Sequence, residues 1–110
     1  MKIDFEHFST YEYKGEKWYT LEKIDSHISA FIGKGGHAIW FDSETLEEIG
    51  TISESNVRSS WKRYFNATFW MGWNGKKATK KEFYKTLATR ADYATAVALM
   101  KETYYNTIKA

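Results

Sequence analysis

The chain contains no cysteine and no proline. Without cysteine it can form neither a disulfide nor a thiolate metal site, and it has no cysteine nucleophile. The absence fits a reducing compartment. Without proline, its turns must rely on glycine, asparagine, aspartate and serine. The opening MKIDFEHFST lacks the apolar run of a signal peptide, and no stretch reaches the length of a membrane span. We therefore expect a cytoplasmic protein with no membrane partner.

The remaining composition is that of a folded domain. Of the 110 residues, 43% are hydrophobic and 18% are aromatic. A chain of this length hides roughly two-thirds of its unfolded surface on folding, which is enough for one hydrophobic core. We therefore expect residues 1–110 to form a single domain with many aromatic rings in its core.

The charges are divided unevenly along the chain. Residues 1–56 carry five lysines against eleven acids, a net charge of −6, whereas residues 57–110 carry a net charge of +8. In terms of structure, we expect residues 1–52 to be mainly β and acidic, and residues 53–110 to be mainly α and basic. This asymmetry indicates a polyanionic partner for the basic half, or two halves that neutralise each other within the fold.

Alternating patterns predict short strands at the start of the chain. Ile3, Phe5, Tyr11 and Tyr13 alternate with polar residues around one polar interruption, which is typical of a half-buried strand. A turn at Lys14-Gly15-Glu16 then leads into Trp18-Tyr19-Thr20-Leu21, which is rich in strand-forming residues.

The glycine-rich loop at 33–36 is a strong local signal. Residues 27–32 and 37–42 flank it, and they predict a β-hairpin because glycine readily takes the positive φ that such loops require. A second turn at 42–45 leads to a strand over 48–52, with a short helix at 44–49 as the alternative. We expect an antiparallel meander of about four to five short strands.

A helical period replaces the alternation after residue 55. Five residues share one predicted helical face: Val57, Trp61, Tyr64, Phe65 and Thr68. Thr79 and Glu82 have the spacing of a capping box, which predicts a second helix. Its first face consists of Phe83, Leu87, Ala91, Ala94 and Ala98, and a second stripe consists of Tyr93, Val97, Met100, Tyr104 and Ile108. Thr89 or Asp92 could cap a third helix after a break. The predicted fold class is α+β, with the meander packed against two or three C-terminal helices.

Residues 56–85 combine basic and aromatic side chains, a pattern typical of surfaces that contact phosphates and stack on bases. Lysines also crowd the predicted start of the second helix, where an anion would be a favourable partner. The predicted nucleic-acid-binding residues are Arg58, Lys62, Arg63, Lys76, Lys77, Lys80, Lys81, Lys85, Trp70 and Trp73. The leading hypothesis is a non-enzymatic module that binds nucleic acid or a nucleoprotein.

A second hypothesis uses the acidic residues Glu44, Glu47, Glu48 and Glu54. Their carboxylates would imitate phosphates for a basic protein partner. The protein would then be a small phage or mobile-element inhibitor or adaptor that blocks a host nucleic-acid-processing or defence nuclease. Neither hypothesis fixes the oligomeric state, and a homo-oligomer stays open.

No catalytic motif is present. The loop Gly33-Lys34-Gly35-Gly36 lacks the spacing of a P-loop, so it is interpreted as a hairpin turn. If Ile32 pairs with His37, His27 faces Asp42, but no nucleophile completes that set. Residues 87–97 have small residues at helix-turn-helix spacing, which packing within a helix explains equally well. We expect no enzyme activity, no cofactor and no metal.

Overall fold

The computed structural model describes residues 2–55, 63–71 and 84–108. In chain order, the elements are α1 (Phe5–Thr10), β1 (Glu12–Tyr13), β2 (Glu16–Lys17), β3 (Tyr19–Lys23), β4 (Ile28–Gly33), β5 (Ala38–Asp42), β6 (Glu48–Glu54), β7 (Phe65–Trp70), β8 (Tyr84–Ala91) and α2 (Tyr93–Thr107).

Six of the strands form one antiparallel sheet in the order β3-β4-β5-β6-β7-β8. Each strand pairs with its neighbours in sequence, so the sheet is a meander. Strands β1 and β2 form a separate hairpin, whose turn residues Lys14 and Gly15 both have positive φ, at 53° and 78°. Two consecutive positive φ values are typical of the type I′ turn that suits tight hairpins. In the large sheet, the strands therefore lie side by side in the order in which they occur in the sequence.

The α+β class is confirmed, but the numbers of helices and strands differ from the prediction. The described residues contain eight strands and two helices, and only α2 is C-terminal. The described part of 53–110 is therefore mixed, since it holds β7 and β8 as well as α2. The N-terminal strand is wrong over Phe5–Thr10, because Asp4 caps a short helix there by accepting a hydrogen bond from the His7 N–H at 3.0 Å, whereas Tyr13 lies in a strand as predicted.

The predicted helix over 57–68 is wrong where the structure describes it, because residues Phe65–Trp70 form β7. Phe65, Ala67 and Phe69 are buried against α2, and the intervening Asn66 and Thr68 are half-buried. That alternation has the strand period of two. Over so few residues, an aromatic run satisfies both the helical and the strand period. Residues 57–62 of that prediction lie outside the described part of the chain.

The segment predicted as the second helix forms a strand followed by a helix where the structure describes it. Residues Tyr84–Ala91 form β8, and Leu87 packs on the core from a strand rather than from a helix. Of the two possible caps left open by the sequence, Thr89 and Asp92, the structure uses Asp92: its carboxylate accepts a hydrogen bond from the Thr95 N–H at 3.3 Å and caps α2. The residues around Thr79 lie outside the described ranges.

The hairpin and the strand after it are confirmed as β4, β5 and β6. The register pairs Ile28 with Asp42 and Ile32 with Ala38, so His27 does not face Asp42. The alternative helix over 44–49 is wrong. The Asp42 carboxylate instead accepts hydrogen bonds from the Glu44 and Thr45 N–H groups at 2.9 and 3.0 Å, which closes a turn before β6.

Both faces of the sheet are covered around β4 and β5. On one face α2 packs against the largest buried side chains, among them Trp40 and Phe69. On the other face, Phe31 and Phe41 pack with Ile3 and with Phe8 of α1. Because successive side chains of a strand point to opposite faces, β4 and β5 supply both clusters.

Candidate nucleic-acid interface

One edge of the large sheet is basic. Strand β8 lies at one edge of the sheet and β3 lies at the other, about 24 Å away across five strand spacings. Strand β7 contains no charged residue, and β8 contains lysine and arginine but no acid. The β8 edge is therefore basic and has no acid in its neighbouring strand.

We define the basic edge as the four exposed residues of β8, which are Lys85, Thr86, Thr89 and Arg90. Between them, Leu87 and Ala88 pack against the α2 core and hold the strand in place. Lys85 and Arg90 are five residues apart, near the two ends of β8. Two exposed cations thus lie on a strand that the core anchors.

Arg90 was not among the predicted site residues. It has a φ of 54°, in the left-handed region that few non-glycine residues occupy. Its backbone N–H donates to the Asn66 side-chain oxygen at 3.0 Å, and the β7–β8 pairing shifts register close by, between Phe65 and Ala67 and between Ala67 and Thr68. A bulge that re-aims a side chain cannot be foreseen from local sequence.

The predicted aromatic pair is separated by the structure. Trp70 is only 8% exposed and packs against Tyr84 with ring centroids 4.9 Å apart. The Trp70 ring is buried against the sheet, so it does not offer a face on which a base could stack. The stacking role predicted for Trp70 or Trp73 therefore passes to Trp73, which lies outside the described residues.

Arg63 is held by an acid of the other half of the chain. Its Nε and Nη2 atoms donate to the two carboxylate oxygens of Glu54 at 3.0 Å each. The hydrogen bonds and the charge of Glu54 raise the pKa of Arg63. Asp25 and Lys101 form a further cross-half contact at 3.7 Å. Both ion pairs join an acid of residues 1–56 to a basic residue of 57–110.

The chain segments that hold the other predicted basic residues are joined to the two ends of β7. Trp70 at the end of β7 pairs with Tyr84 at the start of β8, so the chain that carries Lys76 and Lys81 leaves and re-enters at that end. Arg63 precedes β7 at the other end. The predicted residues that lie outside the described ranges are Arg58, Lys62, Trp73, Lys76, Lys77, Lys80 and Lys81.

The four acids of the alternative hypothesis are not brought to one surface. Glu44 is exposed and Glu47 is half-buried in the turn before β6. Glu48 is 5% exposed inside the sheet, and Glu54 binds Arg63. Glu48 and Glu54 are six positions apart along β6, which is about 20 Å. Glu44 is the only one of the four that is exposed.

Glu48 forms a contact that the sequence did not indicate. Its carboxylate accepts a hydrogen bond from the Tyr84 hydroxyl at 3.2 Å, which joins β6 to the start of the basic edge. Burial raises the pKa of Glu48, and the Tyr84 hydrogen bond offsets part of that increase. Burial and the Glu48 charge together raise the pKa of Tyr84 to about 12.

We expect the stability of the Glu48→Gln variant, relative to wild type, to increase as pH rises. The pKa of Glu48 is above 4.5 in the folded state. The stabilisation that protonated Glu48 contributes to the unfolding free energy is therefore fully present below about pH 4.5, and it is lost as pH rises through the pKa of the folded state. The difference in unfolding free energy between variant and wild type, from urea denaturation at several pH values, should shift in favour of the glutamine variant at higher pH. Glu44→Gln, which removes an exposed acid, is the control variant. A pH-independent difference for Glu48→Gln would contradict the expectation.

The residues considered for catalysis are engaged elsewhere. Asp42 accepts a hydrogen bond from the Tyr104 hydroxyl, and the His27 ring packs against Tyr105 with centroids 6.2 Å apart. Within the described residues, no group of three or more histidines and acids is arranged to hold a metal ion. The structure therefore does not form the His27–Asp42 pair.

An aromatic cleft was missed by the sequence reasoning. Tyr11, Tyr13, Trp18 and Tyr19 line it, at the sheet edge opposite β8. The sequence shows these rings spaced along two predicted strands, and only the folded β1–β2 hairpin brings them together.

No protein-family model, curated protein or solved structure matches this chain. No helix within the described ranges is long and apolar enough to cross a membrane.

Proposed function

We propose that the protein is a small non-enzymatic module that binds nucleic acid, or a nucleoprotein, through the basic edge and the basic segments that adjoin β7 and β8. One observation supports this proposal: β8, at one edge of the sheet, exposes Lys85 and Arg90, and neither β8 nor its neighbour β7 contains an acid. Basic residues on strands that hold no acid favour a polyanionic partner.

In this proposal Lys85 and Arg90 contact phosphates from a fixed backbone. Each contact releases condensed counterions, which supplies affinity without reading sequence. The remaining contacts come from basic residues outside the described ranges, namely Arg58, Lys62, Lys76, Lys77, Lys80 and Lys81, and Trp73 supplies stacking. Arg63 contributes only when a phosphate competes with the Glu54 carboxylate for its guanidinium group.

Reversing the charge of Lys85 and Arg90 together is expected to weaken oligonucleotide binding strongly and to lower its salt dependence. Two lost phosphate contacts should reduce the slope of log K against log salt by about 1.4 for single strands and about 1.8 for duplexes. The measurement is a tryptophan-fluorescence or anisotropy titration with short oligonucleotides at several salt concentrations.

The matched control is Lys17→Glu with Lys23→Glu, two exposed lysines in the β1–β2 hairpin and in the edge strand β3, respectively. This double reversal changes the net charge equally and should change the slope much less. A further variant with Glu at positions 76, 77, 80 and 81 tests the segment between β7 and β8. If neither basic variant changes binding, or if wild type does not bind at low salt, the nucleic-acid proposal is wrong and the protein-inhibitor alternative takes its place.

A further inference from the structure

The aromatic cleft has the size of a small-molecule site. Its volume is about 380 Å³, within the roughly 300–1,000 Å³ range of ligand pockets. Tyr11 is 37% exposed and Tyr13 is 50% exposed, while Trp18 and Tyr19 are half-buried. A contiguous group of partly exposed aromatic rings is typical of an interaction site. The cleft therefore needs an explanation apart from core packing.

The surrounding backbone is built to hold Trp18. The Trp18 N–H donates to the Tyr11 carbonyl at 3.2 Å, and the Lys34 N–H donates to the Trp18 carbonyl at 3.2 Å. The indole lies against the glycine loop, where a Cβ on Gly33 would come within 2.9 Å of its Nε1 atom. An ion pair between Lys34 and Glu16 ties the hairpin to the same loop. The rings are thus positioned before any ligand arrives.

The rings meet at steep angles rather than in parallel. Tyr13 and Trp18 are 5.7 Å apart at an interplanar angle of 81°, and Tyr11 and Tyr19 are 5.9 Å apart at 60°. A flat base or sugar ring is best held by parallel faces, whereas walls at steep angles surround a compact group. The face of each ring carries negative electrostatic potential, so a compact cation is the complementary guest.

The chain already places a cation on one of these faces. The Lys14 ammonium lies 5.5 Å from the centroid of the Tyr13 ring. Glu12, between Tyr11 and Tyr13 in the sequence, adds an exposed carboxylate at the same hairpin. Residues 11–19 hold two glutamates and two lysines, so the hairpin itself has no net charge. The attraction for a positively charged ligand therefore comes from the ring faces.

We propose that the cleft formed by Tyr11, Tyr13, Trp18 and Tyr19 binds a methylated ammonium group, such as that of choline or of a trimethylated lysine side chain. Methylation matters because an unmodified ammonium is strongly hydrated, and desolvating it offsets the attraction of the rings. A quaternary ammonium presents an apolar surface to the rings and keeps its charge. This activity is independent of the basic edge, which lies across the sheet.

The test titrates the protein with tetramethylammonium and choline and follows the Trp18 indole N–H signal by NMR. That signal is assigned with Trp18→Phe. The neutral tert-butyl isostere of choline, in which carbon replaces nitrogen, should bind about tenfold more weakly, since cation–π attraction at partly desolvated sites is worth about that factor. Equal binding of the charged and neutral probes would overturn the proposal, as would no shift of the Trp18 signal with either cation.

Variants separate the ring faces from their hydroxyl groups. Tyr13→Leu should weaken choline binding about threefold to tenfold, whereas Tyr13→Phe, which keeps the face, should bind like wild type. Lys14→Ala should bind more tightly, because it removes the competing ammonium. Unchanged affinity in Tyr13→Leu contradicts the proposal. Phosphocholine and trimethyl-lysine amide, titrated separately, distinguish a lipid-type from a protein-type source of the group.

One control keeps this test apart from the nucleic-acid proposal. The variant with Lys85→Glu and Arg90→Glu should bind choline like wild type, because its changes lie about 24 Å away across the sheet. Conversely, Tyr13→Leu should leave oligonucleotide affinity and its salt slope unchanged. Loss of both activities in either variant would mean that the two surfaces are one site, and the proposal of a separate ammonium cleft would be wrong.

Discussion

Replacing Gly50 with alanine is expected to cost about 3 kcal/mol or more of unfolding free energy, a large part of the stability of a domain this size. Gly50 is buried in the middle of β6, where β7 and α2 both approach it. A Cβ here would overlap the Thr68 carbonyl oxygen. It would also lie 3.0 Å from the Phe69 Cα atom and 3.1 Å from the Met100 Cε atom. Two of these three neighbours are backbone atoms, which cannot move aside as a flexible side chain can.

The measurement is urea denaturation of wild type and of two glycine variants. Gly35→Ala is the control, because a Cβ there would meet only the Trp18 ring edge at 3.7 Å, an ordinary van der Waals distance. That variant should stay within about 0.5 kcal/mol of wild type. Similar midpoints for the Gly50 and Gly35 variants would show that β6 and β7 can separate at low cost, contrary to the packing described.

The part of the fold that was predictable rests on local signals. The loop at 33–36 has the glycines that a hairpin needs, and Asp92 has the side chain that a helix N-terminus needs. The glycines correctly predicted β4 and β5, and Asp92 was one of two candidate caps for the helix that the structure shows as α2. Strand β7 was not predicted. Its alternation of buried residues, Phe65, Ala67 and Phe69, depends on packing against β6 and α2, which are distant in sequence.

The candidate site was less predictable than the fold, since it depends on register between distant segments. Lys85 was predicted from the clustering of lysines, but Arg90 was not, because it stands alone in the sequence and joins Lys85 only on an extended strand. The sequence predicted a stacking ring at Trp70 or Trp73, and Trp70 is buried against Tyr84, fourteen residues later and across one strand pair. Glu48 was taken as a surface acid, and its burial follows from its place in β6.

Tyr104→Phe is expected to destabilise the protein by about 2 kcal/mol, through the loss of one hydroxyl group. Tyr104 is fully buried in α2, and its hydroxyl donates to the carboxylate of Asp42, which is 2% exposed. Burial and the Asp42 charge raise the pKa of Tyr104, so the hydroxyl remains a donor at any ordinary pH. A hydrogen bond to a buried charged group contributes about 1.5–3 kcal/mol, because its removal leaves the charge less well solvated. The same hydroxyl fixes the end of α2 to the turn between β5 and β6.

The adjacent tyrosine provides a matched control for this prediction. The Tyr105 hydroxyl donates to Asp25 at 2.7 Å, but both side chains are partly exposed, so water can replace the lost donor. Tyr105→Phe should therefore cost less than about 1 kcal/mol. A double-mutant cycle of Tyr104→Phe with Asp42→Asn should give a combined loss smaller than the sum of the single losses, because each change removes the same contact. Equal losses for the two tyrosine variants, or additive losses in the cycle, would mean that packing of the Tyr104 ring, and not its hydroxyl, holds α2 against the β5–β6 turn.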